Sequence, residues 1–159
     1  MAIKKTDFAL GVKPVPVTQA ADVVSIRVAY TVPTGGLAIG DVVELMPLPE
    51  DHVPVECAID YDALGASSTA TVGVVNAAGT GIDTAAQSGG AAWISAQATS
   101  AAGLTRDSTS ACRRTQPISN NVNGPGSRRM LGWLVGGGAV TAGTVIGFTL
   151  NYRAANYGA

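Results

Sequence analysis

Charge is scarce in this chain. Only 13% of its 159 residues are Asp, Glu, Lys or Arg, against about a quarter in an ordinary soluble domain. Much of the surface must then be Ala, Gly, Ser, Thr and Asn. Such a skin is easier to explain when other subunits lie against it than when all of it faces water. The net charge of −1 argues against a nucleic-acid binder. Aromatics are also few, at 5%, so the core is built mostly from Ala, Val and other aliphatics. The single histidine, His52, falls in a proline-flanked turn. The two cysteines, Cys57 and Cys112, are far apart and read as reduced thiols behaving as small hydrophobes. No apolar run is long enough to span a membrane. Residues 1–12 lack the apolar stretch and cleavage site of a signal peptide, so the expectation is a protein made and folded in a cytosol. No segment carries a convincing amphipathic helix.

What is present is strand pattern. The central stretch, 40–62, reads as two strands around the turn Glu50-Asp51-His52. In its second half Val55, Cys57, Ile59 and Tyr61 share one face and Glu56, Ala58, Asp60 and Asp62 the other. Pro47, Pro49 and Pro54 do not belong in a central ladder, so here the chain must reverse or change sheets. Residues 22–32 alternate as well, with Val24, Ile26, Val28, Tyr30 and Val32 on one side. Further strands are expected at 69–75, at 92–98 with Trp93, near 111–118, at 128–135 and at 143–153. Pro33-Thr34-Gly35-Gly36, the glycines at 136–138 and the Asn/Gly/Pro cluster at 120–126 punctuate them. The remainder of 99–127 reads as loop.

This pattern predicts an all-β fold, an antiparallel jelly-roll sandwich of about eight strands over residues 22–159. The jelly roll is preferred because its first and last strands pair, and here both are long and well patterned. Residues 1–21 read instead as an extended N-terminal arm, with Pro14 and Pro16 favouring open backbone. Phe8, Leu10 and Val12 are its apolar anchors, laid across a neighbour.

The charges are segregated. Residues 1–80 hold nine acids and four bases, residues 81–159 two acids and six arginines. Either the two halves face each other within one fold, or the charge is complementary across an assembly interface. Arg113, Arg114, Arg128 and Arg129 are the candidates for the second reading, since guanidinium suits salt bridges to an adjacent subunit.

No catalytic constellation emerges. A lone loop histidine reads as solvated surface, not as a general base. Asp60 and Asp62, with Asp41 or Glu44, are too poor a set for a hard cation. The glycine-rich pieces lack the lysine, serine and following helix of a phosphate loop. Trp93 and Trp133 are core candidates before they are a sugar platform. No enzyme, cofactor or metal is expected.

Certain of these residues carry a resemblance. Gly40-Asp41, Leu48-Pro49, the loop Leu64-Gly65-Ala66-Ser67-Ser68, Val72-Gly73 and Asn76-Ala77-Ala78-Gly79 are similar to features of tailed-phage virion structural proteins, and the closing strand 145–152 resembles them weakly. The resemblance implies a jelly-roll head decoration or cement protein. Its partners would be the major capsid protein and further copies of itself, commonly as a trimer, with no nucleic acid and no membrane. It would be made in the bacterial cytoplasm and sit on the capsid exterior. Removing residues 1–20 would then weaken attachment and leave the β domain folded. The alternative is a carbohydrate- or receptor-binding module of a virion, which needs exposed aromatics.

Overall fold

The computed structural model describes residues 1–17, 22–107, 110–116 and 129–155. Two long strands frame one sheet. In β2 (Val24–Thr31) Ile26 and Val28 are buried while Ser25, Arg27, Ala29 and Thr31 are exposed. In β9 (Val145–Ala154) Ile146, Phe148, Leu150 and Tyr152 are buried. The two pair antiparallel from Val24 opposite Tyr152 to Thr31 opposite Val145. Both apolar faces therefore point into the sandwich, as the expected pairing of first and last strands requires.

On the other side of β9 lies β4 (His52–Tyr61), and β7 (Gly103–Arg106) ends this sheet, in the order β2-β9-β4-β7. The facing sheet contains β1 (Ile3–Lys5), β3 (Val42–Pro47), β5 (Thr69–Val74), β6 (Ile94–Ala98) and β8 (Met130–Gly136), in the order β1-β3-β8-β5-β6. From β2 to β9 each step along the chain crosses to the opposite sheet, except β5 to β6. This is a jelly roll, with β1 added in parallel at the edge of β3. The core between the sheets includes Leu45, Ile59, Trp133, Phe148 and Leu150. At about 25 cal/mol per Å² of apolar surface removed from water, these large side chains dominate its stability.

The central stretch changes sheets at its prolines. Pro47 closes β3, and Asp51 turns the chain in the left-handed region with φ 53°. Pro54 lies inside β4, against expectation. It is tolerated because β7 pairs only with Ala58–Tyr61, leaving β4 without a partner on that side at residue 54. A β-bulge follows between Pro54 and Glu56. It inserts Val55 as an extra residue, so Val55 is only half-buried and the buried set runs His52, Pro54, Cys57, Ile59, Tyr61. The expectation that Val55 shares the inner face is thus corrected by the bulge.

Every residue of β3 is buried. Its outer face is covered because Gly73 and Gly132 lie opposite each other on β5 and β8 and leave a flat seat. Val75 packs over Gly132, and a Cβ on Gly73 would come within 2.7 Å of Ile82 Cγ2.

The region 99–116 departs most from expectation. The strand there is Gly103–Arg106, and the stretch expected as a strand begins instead with a short helix, α1 (Ala111–Arg114). Thr115 ends it and bonds back: its Oγ1 donates to the carbonyls of Ser88 and Ala111, each at 3.2 Å. Local hydroxyl bonding of this kind turns a Ser/Thr-rich stretch away from a ladder.

Candidate interaction surface

Residues 1–17 are stitched to the sandwich at both ends. Ala2 N–H donates to Asp41 Oδ1 at 2.6 Å, and the Ala2 carbonyl accepts from Val42 N–H at 3.0 Å. Thr6 is buried; its N–H donates to the Glu44 carbonyl and its hydroxyl to the Leu45 carbonyl. Lys5 Nζ lies 3.0 Å from Glu44 Oε2. Farther along, the Tyr152 hydroxyl donates to the Pro16 carbonyl at 2.6 Å. Between these stitches the chain closes a compact lobe, in which Leu10 N–H donates to the Thr6 carbonyl and Val12 and Lys13 N–H to the Asp7 carbonyl.

The three expected arm anchors separate. Phe8 is half-buried against the core, with Lys13 Nζ 5.9 Å from its ring centre. Leu10 and Val12 face outward, 60% and 70% exposed. Among the described residues eight large hydrophobics are exposed, and Met1, Ile3, Leu10, Val12 and Val17 are five of them. Beneath the lobe a cavity of about 630 Å³ is lined by Phe8, Lys13, Val15, Leu48, Glu50 and Arg129, among others.

The expected arginines are not gathered on this lobe. Arg129 is 3% exposed, and its guanidinium donates to the carbonyls of Gln116, Pro49 and His52 at 2.5, 3.4 and 3.4 Å. Burial lowers it to about 10 from 12.5. Arg113 and Arg114 are exposed on α1, and their Nε atoms donate to the carbonyls of Val55 and Gly89. Arg128 lies outside the described residues.

Ion pairs join both halves and neighbours within a half. Arg106 pairs with Glu56, and Arg27 pairs with Asp60 across Gly147, whose missing side chain leaves them room. Asp62 Oδ2 accepts from Val145 N–H at 2.8 Å. Asp41 and Glu44 sit in the opposite sheet with the N-terminus and Lys5. The four carboxylates considered for a cation are therefore each engaged separately.

His52 corrects an expectation. It is 3% exposed, stacked edge-on to Tyr152 with ring centres 5.7 Å apart, and its Nδ1 lies 2.6 Å from the Glu50 carbonyl. That carbonyl can only accept, so Nδ1 carries a proton. Trp93 and Trp133 are both 0% exposed, and no sugar platform can be made of them. The two cysteines, far apart in sequence, come together with their Sγ atoms within 4.8 Å.

Tyr152 gives this surface a pH dependence. Burial raises its phenol to about 12 from 10.0. The unfolded chain thus loses this proton first. The resulting stabilisation is present below pH 10 and is lost as the pH climbs through about 12. Urea midpoints measured across that interval are expected to fall, and to fall less in Tyr152→Phe. Because a phenolate cannot donate to Pro16, proteolysis within residues 1–17 is expected to accelerate over the same interval.

The fold is a two-sheet jelly roll with five of its eight exposed large apolar residues in the stitched segment 1–17, counted among the described residues, and comparison with solved structures gives that class a family. A chain in the capsid of Ralstonia phage GP4 is 30% identical, with a TM-score of 0.74, over 95% of this chain and 97% of that one. The present chain belongs to this family of phage capsid proteins and is a structural protein of the virion. A chain of the cyanophage Pam1 capsid asymmetric unit shares the fold at 16% identity and a TM-score of 0.50, over 88% and 90% of the two chains. No known family profile and no curated protein sequence matches. Among the described residues no helix is long and apolar enough to cross a membrane.

Proposed function

We propose that this protein is a cement or decoration subunit on the outer surface of a phage head, where it binds major capsid protein subunits and holds their contacts closed. The observation that carries this reading is the lobe of residues 7–13. It is hydrogen-bonded at its base and presents Leu10 and Val12 to solvent. A pre-ordered lobe loses little conformational freedom on docking, so the apolar area it buries goes largely into affinity. Multiplied by the copies on a particle, a modest contact per copy becomes a stable coat.

The protein acts as a homotrimer straddling junctions between capsid subunits. Its low charge supports self-association, and Val23, Ile39 and Leu104 are further exposed apolar residues for such contacts. Arg113 and Arg114 retain N–H groups for acidic groups of a neighbour.

Heads assembled without this protein test the reading. Added back, the protein is expected to bind at a fixed number of copies per head and to raise the temperature at which heads release DNA. Sedimentation of the free protein is expected to give three times the chain mass of 15.9 kDa. Failure to bind such heads, or recovery only in the tail fraction, would count against the proposal.

A further inference from the structure

Two thiols and a carboxylate from separate stretches converge beside the β4 bulge. Cys57 follows the bulge, Asp107 follows β7, and Cys112 is the second residue of α1. One ligand atom from each, the two Sγ atoms and a carboxylate oxygen, lie within 4.8 Å of one another. Ligands of a four-coordinate zinc stand about 3.5–4 Å apart, given bonds of about 2.3 Å to sulfur and 2.0–2.2 Å to oxygen, so the cluster needs little closure. The backbone holds it in place. Asp107 N–H donates to the Cys57 carbonyl at 3.0 Å, and Cys112 N–H donates to Asp107 Oδ2 at 3.1 Å.

We infer that Cys57, Asp107 and Cys112 form a binding site for a soft divalent cation, with Zn²⁺ the fitting ion and water in the fourth position. Two sulfurs select zinc over magnesium or calcium, which prefer all-oxygen shells. Cys57 and Cys112 are buried while Asp107 is half-buried, so solvent reaches the site on the carboxylate side. Without a cation, the hydrogen bond with Cys57 and burial hold the Cys112 thiol well above the usual range. Binding one cation converts two thiols to thiolates and releases two protons, with no change of oxidation state. The ion would fasten α1 and the end of β7 to β4, cross-linking a helix too short to hold its own position.

Cobalt provides the probe. Titrating the fully reduced protein with Co²⁺ under argon is expected to produce a near-ultraviolet sulfur-to-cobalt charge-transfer band that saturates at one ion per chain. Zn²⁺ should abolish the band and release about two protons per ion into weak buffer. Zn²⁺ is also expected to raise the melting temperature of the wild type but not that of Cys112→Ala. Asp107→Asn should weaken Co²⁺ binding by about tenfold or more while keeping the charge-transfer band, because both sulfurs remain. Absence of the band from the folded, reduced wild type overturns the proposal. So does a freshly purified protein in which Cys57 and Cys112 are joined as a disulfide, detected as an intact mass about 2 Da lower.

Discussion

Replacing both Leu10 and Val12 by aspartate is expected to reduce binding to heads lacking the protein by at least about 100-fold, with the melting temperature unchanged. Each side chain is more than half exposed in the free chain, so its replacement removes little from the fold. With 60% and 70% of the two side chains still open to solvent, each would lose about 1–2 kcal/mol of apolar burial in the bound state, and a carboxylate forced into the contact would add its desolvation cost. Together with the desolvation of two carboxylates, these losses exceed the roughly 2.7 kcal/mol that corresponds to a hundredfold difference in affinity. Equilibrium sedimentation with heads gives the affinity, and calorimetry of the free protein gives the fold. Removing residues 1–20 is a poorer experiment than the sequence suggests. It strips β1 from β3 and removes the Thr6 and Ala2 stitches along with the lobe, so loss of binding and loss of folding would not be separable.

Trp93→Ala is expected to destabilise the protein by about 3–5 kcal/mol, the range for truncating a large buried aromatic. Trp93 is fully buried, and its Nε1–H donates to the Ser88 carbonyl at 3.3 Å and to Thr115 Oγ1 at 3.0 Å. It therefore pins the loop before β6 to the end of α1 as well as filling space. Trp93→Phe keeps most of the ring but removes the donor to both acceptors, of which the Ser88 carbonyl keeps Thr115 Oγ1, and should cost about 0.5–1.5 kcal/mol for the lost hydrogen bond. Trp133 is the contrast. It is equally buried, yet its Nε1 has no hydrogen-bond partner among the described residues. Trp133→Phe gives up volume but also removes an unsatisfied donor, and is expected to be milder than Trp93→Ala by at least about 1 kcal/mol. Urea denaturation of the three variants checks the order. If Trp93→Ala left the urea midpoint unchanged, a core role for Trp93 would be wrong.

These expectations show where sequence pattern suffices. Strands β2 and β9 were legible because one face of each meets the core and the other meets water, which writes a period of two into the residues. β3 was legible only in part, because its outer face is covered as well, so that Val42 and Glu44 are buried there and no contrast between a wet and a dry side is written into the residues. β7 left no trace: Leu104, its one large apolar residue, is 63% exposed. α1 has four residues, too few for a helical period to register. The bulge at Val55 shifts the phase of β4 by a hydrogen-bonding irregularity that side-chain alternation alone cannot reveal.

The candidate surface divides the same way. Phe8, Leu10 and Val12 could be singled out because large apolar residues in a proline-bearing stretch stand out. Which of them turn outward depended on the Thr6 and Asp7 carbonyls closing a lobe, and that is a matter of backbone hydrogen bonds. Arg129 looked like a surface charge, but three carbonyls from two separate parts of the chain, the turn at 49–52 and Gln116, draw it inside. The approach of Cys57 to Cys112 is a product of topology. It needed β4, the end of β7 and α1 to be placed before either thiol had a neighbour.

The proposed cement role stands or falls on the lobe of residues 7–13 as a contact surface between this subunit and the rest of the head. A cryo-electron microscopy map of the intact particle, at a resolution that separates side chains, tests it most directly. Such a map is expected to show this jelly roll on the outer shell with Leu10 and Val12 enclosed by residues of another subunit. A map in which both side chains point into open solvent at every copy would contradict it.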